Sequence, residues 1–345
     1  MRKAIYPAVL FVLAAAAVTF AALYYRQAAE SRKPRAFHSN NRVWLLSGDE
    51  HLFEVTERTF DADGLFGFVE GRTRWTRVGG PHTLYSGVFV GAELKSAISD
   101  EEEIIGVLNG TTATAYPLRV LAHHQVVNDE TQEPPVLVYY GNNSRTAAAF
   151  QCAKREAGLC FGCTGFLYKN VDLLYDLATE SLFLPMTGSF VAGQRLGESV
   201  AAAPSAVMTL AEWRKLYPST RVMTENTGVK SARYPREDVL GKPFTFRTRF
   251  KADPLTPSRD IEDAEPVIAV SDGWESAVVP FSPARRAGRR EVSFDLAGKE
   301  YTAHFTEDFK WAWVTDASGR LAPSMRTLYR IYVSIRRDAA VVEAR

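Results

Sequence analysis

The chain has 345 residues, enough for one large domain or two ordinary domains with a buried core. Its formal net charge is +1 and 23% of its residues are charged, so it carries no overall basic field that would attract nucleic acid. Aromatic residues make up 12%, and the glycines and prolines are spread along the chain as in proteins with many short strands. The composition therefore predicts a mainly β fold with a few short helices.

The chain begins with an apolar segment. Residues 5–25 contain no charged side chain, and Arg2, Lys3 and Arg26 flank them. About twenty apolar residues in a helix span a hydrocarbon core of roughly 30 Å. The alternative is a cleaved signal peptide, but the apolar run is too long and ends in Tyr-Tyr-Arg instead of small residues. We predict a transmembrane anchor over 5–25 after a short tail, residues 1–4.

The anchor offers a packing surface and an orientation. Ala14, Ala17 and Ala21 fall on one helical stripe, and small residues allow close helix packing in a bilayer. The plain alternative is that alanine is a common apolar residue in this sequence. Basic residues flank both ends almost equally, so the orientation rests on the short tail before the apolar span. We expect a cytoplasmic N-terminus at the bacterial inner membrane and a periplasmic body.

The remaining chain divides by composition into two β-rich parts. Polar residues 26–41 predict a linker, and residues 42–224 predict a β-rich extracytoplasmic domain. The turn-rich stretch 225–243 predicts a boundary before a second, smaller β-rich lobe, residues 244–345. A helix is predicted from Leu210 to Tyr217, with Thr209 as its cap, and a short one between Pro117 and His124.

An internal repeat supports two related lobes. The segment "IIGVLNGTTATAYPL" (104–118) aligns without a gap with "VIAVSDGWESAVVPF" (267–281). Asn109-Gly110 aligns with Asp272-Gly273, and such pairs between apolar strands predict hairpins with a type I′ turn, which needs positive φ twice. A chance similarity of two hairpins is the alternative. Each copy is expected to end its second strand at a proline.

Cysteine and histidine are the residues that could carry chemistry. Cys160 and Cys163 have the spacing of redox and zinc sites, but a strand follows them and a second cysteine pair is missing. A disulfide, either Cys152–Cys160 or Cys160–Cys163, and buried thiols both remain open. His123 and His124 form the one histidine pair, and as neighbours they are poorly placed to share a metal.

The other polar motifs carry little chemistry. Glu101, Glu102 and Glu103 precede a strand, and a solvated face is the expected arrangement for such a run. The sequence lacks a phosphate-binding glycine loop, a nucleophile elbow and an H-E-x-x-H motif. It therefore predicts no catalytic residue and no cofactor, with His123, His124, Cys160 and Cys163 as weak metal candidates.

Several segments together resemble the bacterial and archaeal extracytoplasmic family called domain of unknown function 3179. They are the first repeat segment, "HHQVVND" (123–129), "FGCTGFLYKNVDLLYD" (161–176), "TESLFLPMTG" (179–188) and "EWRKLYPSTRV" (212–222). The resemblance covers roughly Gly91 to Thr224. It implies no particular reaction, because no activity is established for the family.

The chain departs from the family pattern at one place. The resemblance implies a Cys-Pro-x-Cys turn and a His-Glu pair, but Gly141 and Ser144 stand at the cysteine positions and Gln125 at the glutamate. Phe183 and Pro185 also replace a common tryptophan and a polar residue. Glycine has no side chain and serine is a poor ligand for soft metals. A thiol or metal site at this turn is therefore expected to be absent from this member.

These expectations combine into one hypothesis and one alternative. The leading hypothesis is a non-enzymatic, single-pass accessory subunit of a larger membrane complex, possible examples being respiratory or photosynthetic assemblies. Its expected partners are integral membrane protein subunits and the lipid bilayer, and not nucleic acid. The alternative is a metal- or thiol-handling protein or enzyme that uses His123, His124, Cys160 and Cys163.

Overall fold

The computed structural model describes most of the body of the protein. The described residues are 35–46, 51–60, 65–67, 83–84, 89–90, 98–152, 160–227, 234, 239–241 and 261–343. They form many short strands and four seven-residue helices, which confirms the prediction of a mainly β fold with few short helices. The predicted anchor lies outside these residues. Within them, no helix has the length and apolar character needed to cross a bilayer.

The strands and helices follow one another in three groups. The N-terminal group is β1 (Arg35–Ser39), β2 (Arg42–Leu46), β3 (Leu52–Glu54), β4 (Leu65–Gly67), β5 (Thr83–Leu84) and β6 (Phe89–Val90). The middle group is β7 (Glu103–Asn109), β8 (Thr112–Pro117), α1 (Leu118–His124), β9 (Val126–Asp129), β10 (Val136–Gly141), β11 (Thr146–Gln151), β12 (Phe161–Tyr168), β13 (Val171–Asp176), β14 (Leu182–Leu184), β15 (Ser189–Ala192), β16 (Ser205–Thr209), α2 (Leu210–Leu216) and β17 (Arg221–Met223). The C-terminal group is β18 (Pro266–Asp272), β19 (Glu275–Pro280), α3 (Phe281–Ala287), β20 (Glu291–Leu296), β21 (Lys299–Phe305), β22 (Ala312–Asp316), β23 (Met325–Leu328), α4 (Tyr329–Ile335) and β24 (Ala340–Val341).

Four sheets contain the described strands. Two have eight strands, in the orders β24-β19-β18-β23-β11-β10-β9-β5 and β20-β21-β22-β16-β7-β8-β17-β6. A five-stranded sheet, β15-β14-β13-β12-β4, packs beside them, and β1, β2 and β3 form an antiparallel three-stranded sheet. We refer to β12–β15 as the inserted strands.

The two hairpins expected from the internal repeat are present. In the first, Ile104 pairs with Pro117, and in the second Val267 pairs with Pro280, so proline ends each second strand. The predicted turn type was wrong in detail. In each hairpin only the first of the two turn residues has a positive φ, which is 60° at Gly110 and 64° at Gly273. Glycine at that position is the pattern of a II′ turn, which also suits the twist of the flanking strands.

The repetition extends far beyond the hairpins. Residues 103–223, which we call the first repeat, and residues 266–341, the second repeat, contain the same series of elements. Each begins with a hairpin, a helix and three strands, and ends with a strand, a helix and a strand that pairs in parallel with the hairpin. The inserted strands interrupt only the first repeat. Thr114 pairs with Arg221 in the first repeat, and Ala277 with Ala340 at the equivalent place in the second.

The two repeats meet across a local two-fold arrangement. The sequence Ala-Pro-Ser occurs at 203–205 and again at 322–324. Ser205 Oγ donates to the carbonyl of Ser324 at 3.0 Å, and Ser324 Oγ donates to the carbonyl of Ser205 at 2.9 Å. Beside them β16 pairs with β22, and β11 pairs with β23. Each eight-stranded sheet therefore contains strands from both repeats.

Candidate functional site

The turn "GNNSRT", residues 141–146, lies where three elements meet. It joins β10 to β11, and α1 ends beside it at His124. Strand β13, one of the inserted strands, brings Asp172 to the same place, because Gln125 and Tyr139 both hydrogen-bond its carboxylate. The family-like motif "HHQ" and the turn therefore share one site with an inserted strand.

A polar cluster, buried except for the half-buried Gln125, forms the centre of this site. We define it as Gln125, Tyr139, Ser144 and Asp172. Tyr139 Oη donates to Asp172 Oδ2 at 2.8 Å, and Gln125 Nε2 donates to Oδ1 at 3.1 Å. Ser144 hydrogen-bonds Tyr139 in turn. The polar groups of the cluster thus satisfy one another, as buried polar groups must.

Burial sets the protonation of this cluster. Loss of solvent raises the pKa of Asp172 to about 6, against the hydrogen bonds from Tyr139 and Gln125, which favour the carboxylate. Burial also raises the pKa of Tyr139 well above its usual value, and the neighbouring Asp172 adds to this rise. Tyr139 therefore stays a neutral donor, while Asp172 changes its charge in mildly acidic conditions.

Gly141 is the point of closest packing in the site. A Cβ atom there would lie 2.2 Å from Tyr139 Oη, 2.6 Å from Ser144 Oγ and 2.8 Å from Asp172 Oδ2. Real Cβ atoms do not approach other atoms this closely, so the polar cluster occupies the space that any side chain at position 141 would need. The position at which the resemblance implies a first cysteine is therefore filled in this chain.

Gln125 has a strained backbone. It follows α1 with φ 60° and ψ −39°, a combination that non-glycine residues rarely adopt. The equivalent residue after α3 in the second repeat is Gly288, with φ 63°. Strain of this kind persists where surrounding contacts enforce it, and here the hydrogen bond from Gln125 to Asp172 is one of them. This is the position at which the resemblance implies a glutamate.

The two histidines lie on the last turn of α1, the short helix that the sequence predicts between Pro117 and His124. His124 is fully buried, and its Nε2 atom hydrogen-bonds the hydroxyl of Tyr234, which also bonds Thr227 Oγ1 at 2.6 Å. The His123 ring stands edge-on to the Tyr234 ring at 5.3 Å, and burial lowers the pKa of His123. Both imidazoles thus pack against one tyrosine from a distant part of the chain.

Tyr234 belongs to the stretch 225–243 that the sequence predicts as a boundary. The described residues of this stretch pack closely on the first repeat. Arg119 is buried and pairs with Glu102 and Glu225, and its Nη1 atom donates to the carbonyl of Tyr234 at 2.9 Å. The Glu103 carboxylate accepts the backbone N–H groups of residues 239 and 240. The prediction of a solvated glutamate run was therefore wrong for Glu102 and Glu103.

The three cysteines are buried thiols. Cys152 and Cys163 pack in an apolar cluster with Phe161 and neighbouring phenylalanines. Cys160 is also buried, and none of the three forms a disulfide. Burial raises the pKa of Cys152 to about 12, which suppresses the reactive thiolate. Of the sequence alternatives, the structure contains the buried thiols. Among the described residues, no three His, Cys, Asp or Glu side chains are grouped so that they could hold a metal.

The second part of the motif "HHQVVND" has a structural role. Asn128 Nδ2 donates to the carbonyl of Phe161 at 2.9 Å, and the N–H of Phe161 donates back to Asn128 Oδ1 at 2.9 Å. Asp129 accepts hydrogen bonds from Tyr116 at 2.6 Å and from Thr131. Asn128 therefore fixes the start of β12 to β9. This connection holds the inserted strands, and Asp172 on β13, against the first repeat.

Sequence reasoning missed three residues of the site: Tyr139, Asp172 and Tyr234. Asp172 had a detectable signal, because it is a lone acid inside the apolar strand "VDLLY". Tyr139 and Tyr234 look like ordinary aromatic residues in the sequence. The distance along the chain from His124 to Tyr234, 110 residues, hides that contact.

A separate cleft opens near the end of α3. It encloses about 1210 Å³ and has both repeats in its walls. Six acidic and six basic side chains line it: Glu101, Glu102, Glu103, Glu212, Glu307, Asp308, Arg119, Lys215, Arg285, Arg290, Lys310 and Arg326. The balanced charges favour neither an anionic nor a cationic ligand.

Comparison with protein-family models gives one match, over residues 81–331, to the family described as protein of unknown function (DUF3179). The matched residues include the polar cluster, the inserted strands and both hairpins. The chain belongs to this family. The match continues past Thr224 through the second hairpin to residue 331, so the DUF3179 region contains the first repeat and most of the second. No curated protein and no solved structure matches the chain.

Proposed function

We propose that this DUF3179 member is a non-enzymatic, single-pass accessory subunit of a larger membrane protein complex. The observation that carries the proposal is the filled site at the turn 141–146. Tyr139, Ser144 and Asp172 surround Gly141 so closely that the position has no room for a side chain. A ligand or substrate would have to displace groups that already satisfy one another.

Two further features support a role in assembly. The sequence supplies a predicted anchor with a stripe of small residues at Ala14, Ala17 and Ala21, which suits packing against another transmembrane helix. The body is built from two repeats joined edge to edge, with inserted strands held by Asn128. Such a body offers a broad surface for partner proteins. The expected location is the inner membrane, with the body on the periplasmic side.

Purification from native membranes tests this proposal. The full chain, tagged at its C-terminus, is extracted in a mild detergent and separated on a native gel. We expect a species much larger than the chain, with stoichiometric membrane protein partners. A matched pair of variants sharpens the test: in the predicted anchor helix Ala17→Leu falls on the small-residue stripe, and Val12→Leu falls on the opposite side. Ala17→Leu is expected to lower partner recovery and Val12→Leu to leave it unchanged; a lone chain in all three preparations contradicts the proposal.

The alternative of metal or thiol handling has a direct test. Elemental analysis of the purified chain measures copper, zinc and iron per polypeptide. Under the proposal these stay far below one equivalent, and Cys160→Ala has no effect on partner recovery. A stoichiometric metal that disappears in the His124→Ala or Cys163→Ala variant would instead establish the alternative. His123→Ala serves as the comparison on the neighbouring residue.

A further inference from the structure

The three-stranded sheet of β1, β2 and β3 has one buried and one exposed face. Leu45 and Phe53 point to the body and are 5% and 0% exposed. The side chains alternate along the strands, so Phe37, Trp44, Leu46 and Leu52 lie on the opposite side, which we call the outer face. Phe37 and Leu52 are 46% and 43% exposed, and Trp44 and Leu46 are half-buried.

The residues of the outer face form neighbouring pairs. Phe37 pairs with Trp44 across β1 and β2, and Leu46 pairs with Leu52 across β2 and β3. Arg42 and Glu54, on the same face, form an ion pair at 3.3 Å between Nη1 and Oε2. Aromatic and aliphatic side chains beside an arginine are the composition found where proteins meet the polar region of a bilayer.

The position of this sheet in the chain limits its distance from the membrane. Nine residues, and so ten steps from one Cα atom to the next, separate the end of the predicted anchor, residue 25, from Arg35, where β1 begins. Ten such steps span at most about 35 Å when the chain is fully extended. A compact body of this size has a diameter of about 50 Å. The short tether therefore holds the three-stranded sheet on the side of the body nearest the anchor.

We propose that the outer face rests on the bilayer surface, with Phe37, Trp44 and Leu52 in the lipid headgroup region. This inference depends on the anchor of the proposed function and assigns the orientation of the body on the membrane. An apolar surface of a partner subunit is the competing occupant, and the experiment distinguishes the two.

Lipid quenching of a site-specific fluorophore tests the contact. Leu52→Cys in the full chain supplies a labelling site, because the three native cysteines are buried and stay unlabelled. Leu216→Cys is the matched control, since Leu216 is similarly exposed at 38% but lies on α2, which packs in a different apolar cluster. Each labelled chain is reconstituted into phospholipid vesicles that carry nitroxide-labelled lipids, and flotation after a carbonate wash confirms integration.

The expected result is a loss of about half of the fluorescence for the label at position 52 and little change at 216, because nitroxide lipids quench only fluorophores near the bilayer. Phe37→Cys repeats the measurement on β1 if Leu52→Cys folds poorly. Chains that float but show equal, weak quenching at 52 and 216 overturn the bilayer contact and leave the anchor intact. A label that is shielded from aqueous iodide in native membranes but is not quenched by nitroxide lipids shows that a partner protein covers the outer face. That result also overturns the bilayer contact. Chains that do not float overturn the proposed function itself.

Discussion

Replacing Gly141 with alanine is the most direct test of how this site is packed. The new methyl group would lie 2.2 Å from Tyr139 Oη and 2.8 Å from Asp172 Oδ2, so these groups would have to move apart. Overpacking a dense interior costs about 1–3 kcal/mol, and a weakened hydrogen bond to a buried carboxylate adds about 1 kcal/mol or more. We therefore expect Gly141→Ala to lower the free energy of unfolding by about 2–4 kcal/mol.

A double-mutant cycle identifies the group responsible. Tyr139→Phe removes the hydroxyl that lies closest to the new methyl group, at the cost of its hydrogen bond to Asp172. The double variant Gly141→Ala/Tyr139→Phe should therefore lose less free energy of unfolding than the two single variants together, by about 1 kcal/mol or more. The assay is urea unfolding of the full chain in detergent micelles, followed by fluorescence.

Gly162 provides the matched control. A Cβ atom there would lie 2.5 Å from the ring of Tyr175, so Gly162→Ala is similarly crowded by a different tyrosine. Tyr139→Phe should give no rescue of Gly162→Ala. Strict additivity of Gly141→Ala and Tyr139→Phe would refute the argument that the Tyr139 hydroxyl fills the site.

Three further predictions concern the same region. Burial raises the pKa of Asp172 in the folded state from 3.8 to about 6, so the folded protein binds this proton more tightly than the unfolded chain does. The free energy of unfolding should therefore fall by about 2–3 kcal/mol as the pH rises from 4 to 7. Asp172→Asn should flatten that part of the pH profile measured by urea unfolding, and an unchanged slope would contradict the assignment. Asn128→Ala should cost about 2–4 kcal/mol because two buried hydrogen bonds to Phe161 are lost. Asn142→Ala should cost much less, because Asn142 is exposed and its hydrogen bond to the carbonyl of Ala122 is open to solvent. The three cysteines should react with a thiol reagent only after unfolding, and fast reaction of any of them in the native protein would disprove their burial.

Local signals in the sequence predicted the local structure well. The glycine turns and terminal prolines of the two hairpins, and the Thr209 cap of α2, depend on residues a few positions apart. The turn type was missed because the sequence pair Asn109-Gly110 does not reveal which residue begins the turn. Strand register decides that, and register depends on long-range pairing.

The site was predictable only in part. The family pattern drew attention to Gln125, Gly141 and Ser144, but not to the groups that surround them. Asp172 lies on an inserted strand, and Tyr234 belongs to the stretch 225–243 that the sequence predicts as a boundary. Their contacts with Gln125 and His124 arise from tertiary folding, so no spacing or periodicity in the sequence encodes them.

The exchange of strands between the two repeats has a practical consequence for shortened versions of this protein. A chain that stops at residue 224 retains β11 and β16 but loses their neighbours β23 and β22. Each eight-stranded sheet would then end in an open row of unpaired backbone groups, a template for pairing with other chains. Such a fragment is expected to self-associate, so the smallest soluble unit of this family member must carry both repeats.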